Sequence, residues 1–260
     1  MKFLKRSLTG VFILLISFIC IKKAGIYLLI MNLFITSVAI YELENVLNLK
    51  TFEKKDLTNL SINLIFNLCF NLSMYFQKYI LALALFGIIA LLQLTFYTIF
   101  DKQLDKVLNN YLVYLYVSLT FSLMYFVSNT QYIWLMYICS WGTDTAAYCS
   151  GMLFGKHKLT EISPKKTIEG AIGGIFGSLI IAIIFTLFYG GIGIIKLIPI
   201  VFIGSIISQI GDISASKIKR KAHIKDFGNI FIGHGGVLDR FDSFIFVIPY
   251  LVMLFCLNVR

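Results

Sequence analysis

Charge and proline are both scarce in this sequence. Of its 260 residues 14% are charged and three are proline, where an ordinary soluble domain carries about 25% charge and about 5% proline. So little charge argues against a soluble globular domain, and so few prolines leave long helices unbroken. Cysteines are present but lack a pattern: Cys20, Cys69, Cys139, Cys149 and Cys256 stand singly inside or beside apolar runs. With no CxxC pair, neither a zinc site nor a disulfide framework is indicated, and they read as small buried hydrophobes. The three histidines, His157, His223 and His234, lack the spacing of a transition-metal site.

What the chain has in quantity is apolar side chains, 58% of the total, with 24 Phe and 14 Tyr. A membrane-spanning helix needs about 20 mostly apolar residues. Segments of that length recur at 4–21, 24–41, 58–76, 79–99, 111–129, 131–153, 170–190, 194–211 and 241–258. The expected fold is therefore an all-α integral membrane protein of about nine transmembrane helices with a cytoplasm-facing polar site. Junctions such as Gln77-Lys78 and Asn129-Thr130-Gln131 leave room only for tight hairpins. No repeat, linker or low-complexity tract divides 1–260, which reads as a single polytopic domain: N-terminal helices over 1–130, catalytic helices and loops over 131–260. The start, Met1-Lys-Phe-Leu-Lys-Arg and then an apolar run, resembles a signal peptide, but Lys22-Lys23 follows instead of a small-residue cleavage site. A retained first helix is expected.

Orientation follows from the basic residues, which concentrate on the cytoplasmic side of membrane proteins. With the N-terminus inside and one crossing per segment, eighteen of the 23 Lys and Arg fall on the inner side. Lys22, Lys23, Lys78, Lys196 and Arg260 remain outside, and the thirteen carboxylates lie on or near the inner side. The net charge of +10 then points to anionic membrane lipids and phosphorylated substrates, not nucleic acid. Loops near 42–57 and 100–110 mix Glu, Asp and Lys as ordinary solvated connections do.

Two stretches differ from the rest. The first runs from Trp141 to Gly170 and contains Trp141-Gly-Thr-Asp-Thr-Ala-Ala-Tyr148, Gly155-Lys-His-Lys158 and Ser163-Pro-Lys-Lys-Thr-Ile-Glu-Gly170. Asp144 falls within an apolar span, where a carboxylate costs a few kcal/mol and needs a partner, a cation or a wet cavity. Ser163-Pro-Lys-Lys-Thr167 precedes a helix, so backbone N–H groups and the ammonium groups of Lys165 and Lys166 can face an anion together. The second runs from Gly211 to Asp242. Gly233, Gly235 and Gly236 bracket His234, which allows close backbone approach to a ligand. Asp212 and Asp239 are expected at the two membrane ends of this loop; if the helices they close are neighbours, the two carboxylates can converge on one hard cation, as Mg²⁺ is commonly held by one or two carboxylates and substrate phosphates. Lys219, Arg220, Lys225 and Arg240 would surround them with positive charge suited to a polyphosphate.

These residues resemble the phosphatidate cytidylyltransferase (CDP-diacylglycerol synthase) family. Its C-terminal signature is matched by Ser216, Ile218, Lys219, Arg220, Lys225, Asp226, Gly228, Phe231, His234-Gly-Gly-Val237 and Asp239-Arg-Phe-Asp242, and the stretches at 144–148, 155–159 and 163–170 resemble the family's others. Departures are Ile232 for Pro, Gly or Ser, Ala215 for Glu, Ala146 for Gly and Met152 for a basic residue. The first 130 residues match only in hydropathy.

The resemblance implies Mg-dependent transfer of CMP from CTP to phosphatidic acid, giving CDP-diacylglycerol and pyrophosphate for phospholipid biosynthesis. It implies a multi-pass protein of a bacterial-type inner membrane with a cytoplasmic site, and a homodimer. Asp212 and Asp239 would hold Mg²⁺ or a pair of cations, with Asp144 a weaker candidate. Lys166, Thr167, Ser216, Lys219, Arg220, Lys225 and Arg240 would bind substrate, His234 would donate to the leaving group, and Asp226 would orient a lysine. The rival readings are a transporter or channel, a CTP-dependent polyprenol kinase, and an inactive scaffold.

Overall fold

The structure, a computed structural model, describes residues 2–47, 56–100, 104–230 and 235–258. Among them there is no strand beyond one isolated bridge between Lys158 and Thr167. Helices α1 (Lys2–Lys23), α2 (Gly25–Leu47), α3 (Asp56–Tyr75) and α4 (Tyr79–Phe100) come first. They are followed by α5 over 104–127 and α6 over 131–154, each with a π-helical stretch inside it, Tyr114–Leu119 and Ile138–Gly142. Next are α7 (Ile168–Tyr189), α8 (Ile194–Lys221), the single turn α9 (Leu238–Phe241) and α10 (Phe244–Asn258). Among the described residues four stretches can cross a membrane by length and composition: Gly25–Leu47, Val107–Val127, Ile168–Tyr189 and Ile194–Lys221. Many large apolar side chains lie exposed on helix surfaces, Ile80, Phe188 and Ile195 each by more than 85%, as lipid-facing residues do.

The short junctions are hairpins. Gln77 takes φ +59° between α3 and α4, where its N–H bonds Met74 O and Lys78 N–H bonds Ser73 O. Thr130 starts α6 as its N-cap, accepting from Tyr132 N. Of the cysteines only Cys139 is buried; Cys69, Cys149 and Cys256 are exposed on helix faces. This corrects the expectation of five small buried hydrophobes, since lipid accepts a thiol as readily as a core does.

Tertiary contacts divide the chain into two units, 1–128 with 226–240, and 129–225 with 241–260. In the first, α2 packs on α1 and α3, and α3 on α4. Asn63, Asn67 and Asn71 recur every four residues on one face of α3 and are fully buried. Asn67 Nδ2 donates to Thr36 Oγ1 at 2.9 Å, and Asn32 Nδ2 donates to Asn71 Oδ1 and Phe121 O, both at 3.2 Å. Asn63 bonds Glu44 and Tyr114, and Gln93 donates to Tyr114 Oη at 2.8 Å. Buried polar groups within membrane helices find partners on neighbouring helices. Of the loop expected near 42–57, residues 48–55 lie outside the described residues, and 42–47 are helical: α2 runs to Leu47 and buries Glu42 and Glu44, 2% and 6% exposed. The expectation of solvated connecting residues fails for both, because each carboxylate has partners folded over it.

In the second unit α6 packs closely on α7, through small residues on both. A Cβ on Gly174 would lie 3.0 Å from Ala147 Cβ, and one on Gly177 would lie 2.3 Å from Ala146 Cβ. Backbones approach closely where side chains are this small, and Ala146 is seated against Gly177. Ser178 and Ser205 hydroxyls bond at 2.6 Å between α7 and α8. Tyr137, Trp141, Phe241 and Phe244 form an aromatic cluster joining α6 to the start of α10, with centroids 4.7–5.5 Å apart.

Candidate active site

Asp212 does not stand at a helix end. α8 continues for another nine residues to Lys221, so Asp212, Ser216 and Lys219 share one helical stripe at spacings of four and three. The polar run reads as loop because its residues are charged, yet Gly211, Ala215 and Lys219, four residues apart, are buried along one helix face, Ala215 fully so. The helix ends where His223 adopts φ +58° and Arg220 Nη1 donates to Ile224 O at 3.1 Å.

The carboxylate of Asp212 pairs with Lys166 Nζ, both side chains about a quarter exposed. Lys166 belongs to the 155–167 loop, which is tied across its base by Leu159 N to Lys166 O at 2.8 Å and Ile168 N to His157 O at 2.9 Å. Glu169 holds the other side: its carboxylate accepts from Lys156 N at 3.0 Å and His157 N at 3.2 Å, and meets His157 Nδ1 at 2.6 Å. Thr167 is the N-cap of α7, its hydroxyl accepting from Gly170 N at 3.1 Å, so its side chain serves the helix start first.

A second cluster sits at the start of α10. Lys219, 9% exposed, directs Nζ at Asp242 Oδ2, 3.6 Å away. Asp242 Oδ1 accepts from Ser243 N at 2.9 Å, and Ser243 Oγ lies 3.4 Å from Asp144 Oδ2. Asp144 thus lies in the first α-helical turn after the π-helical stretch of α6 and has a hydroxyl partner; π-helical turns recur at functional positions.

In the first unit, the 226–240 segment is organised by two carboxylates. Asp239 Oδ2 accepts from Phe227 N at 2.8 Å and Gly236 N at 2.9 Å. Glu42 accepts from Val237 N at 2.9 Å and Leu238 N at 2.8 Å. Gly235 takes φ +80° and Gly236 is buried, so the room expected for a ligand is here used by the protein's own acids. Lys225 and Asp226 are exposed, and Arg240 is half-buried. His234 lies outside the described residues. Sequence reasoning missed Glu42, for which no local motif signals a distant partner.

Among the described residues no three His, Cys, Asp or Glu side chains gather as a metal cluster. A cation at any of these aspartates would rely on one or two carboxylates plus substrate phosphate oxygens, which is how Mg²⁺ is commonly bound. The donor set is all oxygen, beside lysines and arginines, and fits that hard cation.

Residues 4–257 match the profile of a cytidylyltransferase family. The phosphatidate cytidylyltransferase of Bacillus subtilis (strain 168) is 35% identical over 97% of this chain and 97% of its own length. That of Staphylococcus epidermidis is 34% identical over 96% and 97%. That of Staphylococcus haemolyticus is 47% identical over 54% of this chain and 55% of its own. With helices able to cross a membrane and a match that runs nearly end to end, the chain belongs to the cytidylyltransferase family.

Proposed function

We propose that this chain transfers CMP from CTP to phosphatidate, forming CDP-diacylglycerol and pyrophosphate. The observation that carries this reading is the near full-length similarity to enzymes named for that reaction. A phosphate oxygen of the lipid attacks the α-phosphorus of CTP, the bond from that phosphorus to the β-bridging oxygen breaks, and pyrophosphate leaves. A phosphate monoester is largely doubly ionised at neutral pH, its second pKa being about 6, so no strong base is required. The obstacle is the approach of two polyanions, which fixed positive charge relieves.

Asp212 and Asp239 would hold Mg²⁺, with Asp144 the weaker third candidate. Bound there, the ion would supply charge neutralisation at the triphosphate. Lys166 neutralises Asp212 in the substrate-free chain and pairs with a phosphate once substrate arrives. Lys225 and Arg240 bind the remaining phosphate oxygens, and Ser216 adds a hydroxyl on the Asp212 stripe. Lys219 and Arg220 reach substrate only by leaving Asp242 and the Ile224 carbonyl. His234 donates to the departing pyrophosphate, and Asp226 orients Lys225. We place the N-terminus and the site on the cytoplasmic side of a bacterial cell membrane, with nine crossings.

Purified protein given phosphatidate, Mg²⁺ and CTP labelled either in the cytidine or at the γ-phosphate tests the reading. Cytidine label in the lipid product supports it; γ-label in the lipid shows a kinase instead.

A further inference from the structure

Glu42 stands on α2, far along the chain from the 211–242 stretch, yet its carboxylate contacts the segment carrying Asp239. It is 2% exposed and accepts from the backbone N–H groups of Val237 and Leu238, 195 and 196 residues away. Two glycines of that segment are shaped around it. A Cβ on Gly228 would lie 2.2 Å from Glu42 Oε1, and a Cβ on Gly236 would lie 2.3 Å from the same atom. Real Cβ atoms essentially never approach so closely, so a side chain at either position would require the Glu42 carboxylate to shift away. Asp239 Oδ2 meanwhile joins Phe227 N to Gly236 N. The backbone from 236 to 238 is therefore clamped by consecutive bonds, Gly236 to Asp239 and the next two residues to Glu42.

We propose that Glu42 is a positioning residue for the transferase reaction. By holding the N–H groups of 237 and 238, it fixes the backbone from which the Asp239 carboxylate and the Arg240 side chain project. This inference rests on the reading that Asp239 acts in the site. Hydrogen bonds from N–H to a carboxylate are about twice as strong as neutral ones, and a buried glutamate with both oxygens engaged accepts what no amide accepts. Gln at this position offers one oxygen, and its NH₂ opposes the second N–H donor. Outer residues that orient ligating side chains typically change activity or metal affinity by about 10- to 100-fold when replaced.

The test compares full-length wild type, Glu42→Gln, Glu42→Asp and Asp239→Asn, purified in detergent micelles. The expected result for Glu42→Gln is a kcat lowered about 10- to 100-fold with the KM for phosphatidate unchanged, and more Mg²⁺ needed for half-maximal rate. Hydrogen exchange adds a readout independent of turnover: amides 236–238 exchange faster in Glu42→Gln while α3 and α4 keep wild-type protection. Glu42→Asp, which keeps the charge but is one methylene shorter, recovers part of the rate. Wild-type kcat and Mg²⁺ dependence in Glu42→Gln overturn the proposal, as does a loss of protection spread equally over α2 to α4, which marks a purely structural role. Normal turnover by Asp239→Asn removes the reading of the site beneath it, a failure visible without any Glu42 variant.

Discussion

Lys219 and Asp242 oppose one another across 3.6 Å, with side chains only 11% and 8% exposed. Opposite charges so enclosed each compensate the other's lost hydration. Removing one partner of a buried pair is destabilising by about 3–5 kcal/mol, whereas replacing both by apolar groups of similar size is often neutral. Asp242→Ala should therefore lower thermal stability in detergent markedly. Lys219→Met combined with Asp242→Leu should restore it without restoring turnover. Recovery of both in the double variant would remove Lys219 from the substrate-binding set.

Asp212 and Asp239 are the carboxylates on which the cation assignment depends. Asp239→Asn keeps the size of the side chain and an oxygen for the Phe227 and Gly236 N–H groups. It should therefore leave expression and helix content intact while abolishing turnover. Asp212→Ala should do the same and free Lys166 from its ion pair. Circular dichroism and a product assay on the same preparations check both. Near-normal rates from either variant sink its role as a ligand.

The loop that carries Lys166 is held by Glu169, through Lys156 N and both nitrogens of His157 named above. Glu169→Ala should loosen it and raise the KM for substrate about tenfold, in line with the loss of an orienting residue. Thr167→Ala should lower stability by about 1 kcal/mol through loss of the helix cap, and Thr167→Ser should behave as wild type. Steady-state kinetics with thermal melts separate the two effects. A KM unchanged by Glu169→Ala shows that the clamp does not serve binding.

Lys78 is exposed in the turn between α3 and α4, on the side assigned away from the active site. Lys78→Ala should change stability by less than about 0.5 kcal/mol and leave turnover unaltered. A large loss of activity in the product assay would contradict the proposed orientation.

The helices were largely legible in the sequence, and the residues proposed for the site were chosen from it. Apolar runs of spanning length and the spacing from Ser216 to Asp242 are local properties, readable without knowing what lies beside them. The extent of α8 was less legible. Its last turns are rich in Lys and Arg, so composition suggested a loop where buried Ala215 and the Asp212–Ser216–Lys219 stripe show a helix. Pairings were not legible at all: Lys166 with Asp212, Lys219 with Asp242, and Asp144 with Ser243 join residues 46, 23 and 99 positions apart.

By itself the sequence determined the helical membrane architecture, because about 20 apolar residues in lipid must satisfy their backbone bonds internally. It also determined the oxygen and ammonium groups available for phosphate chemistry. Only the tertiary structure decided that Glu42 closes on Val237 and Leu238 and that Gly228 and Gly236 make room for it. A buried carboxylate takes whichever donors the folded backbone brings to it, and no pattern near residue 42 encodes where those donors will be.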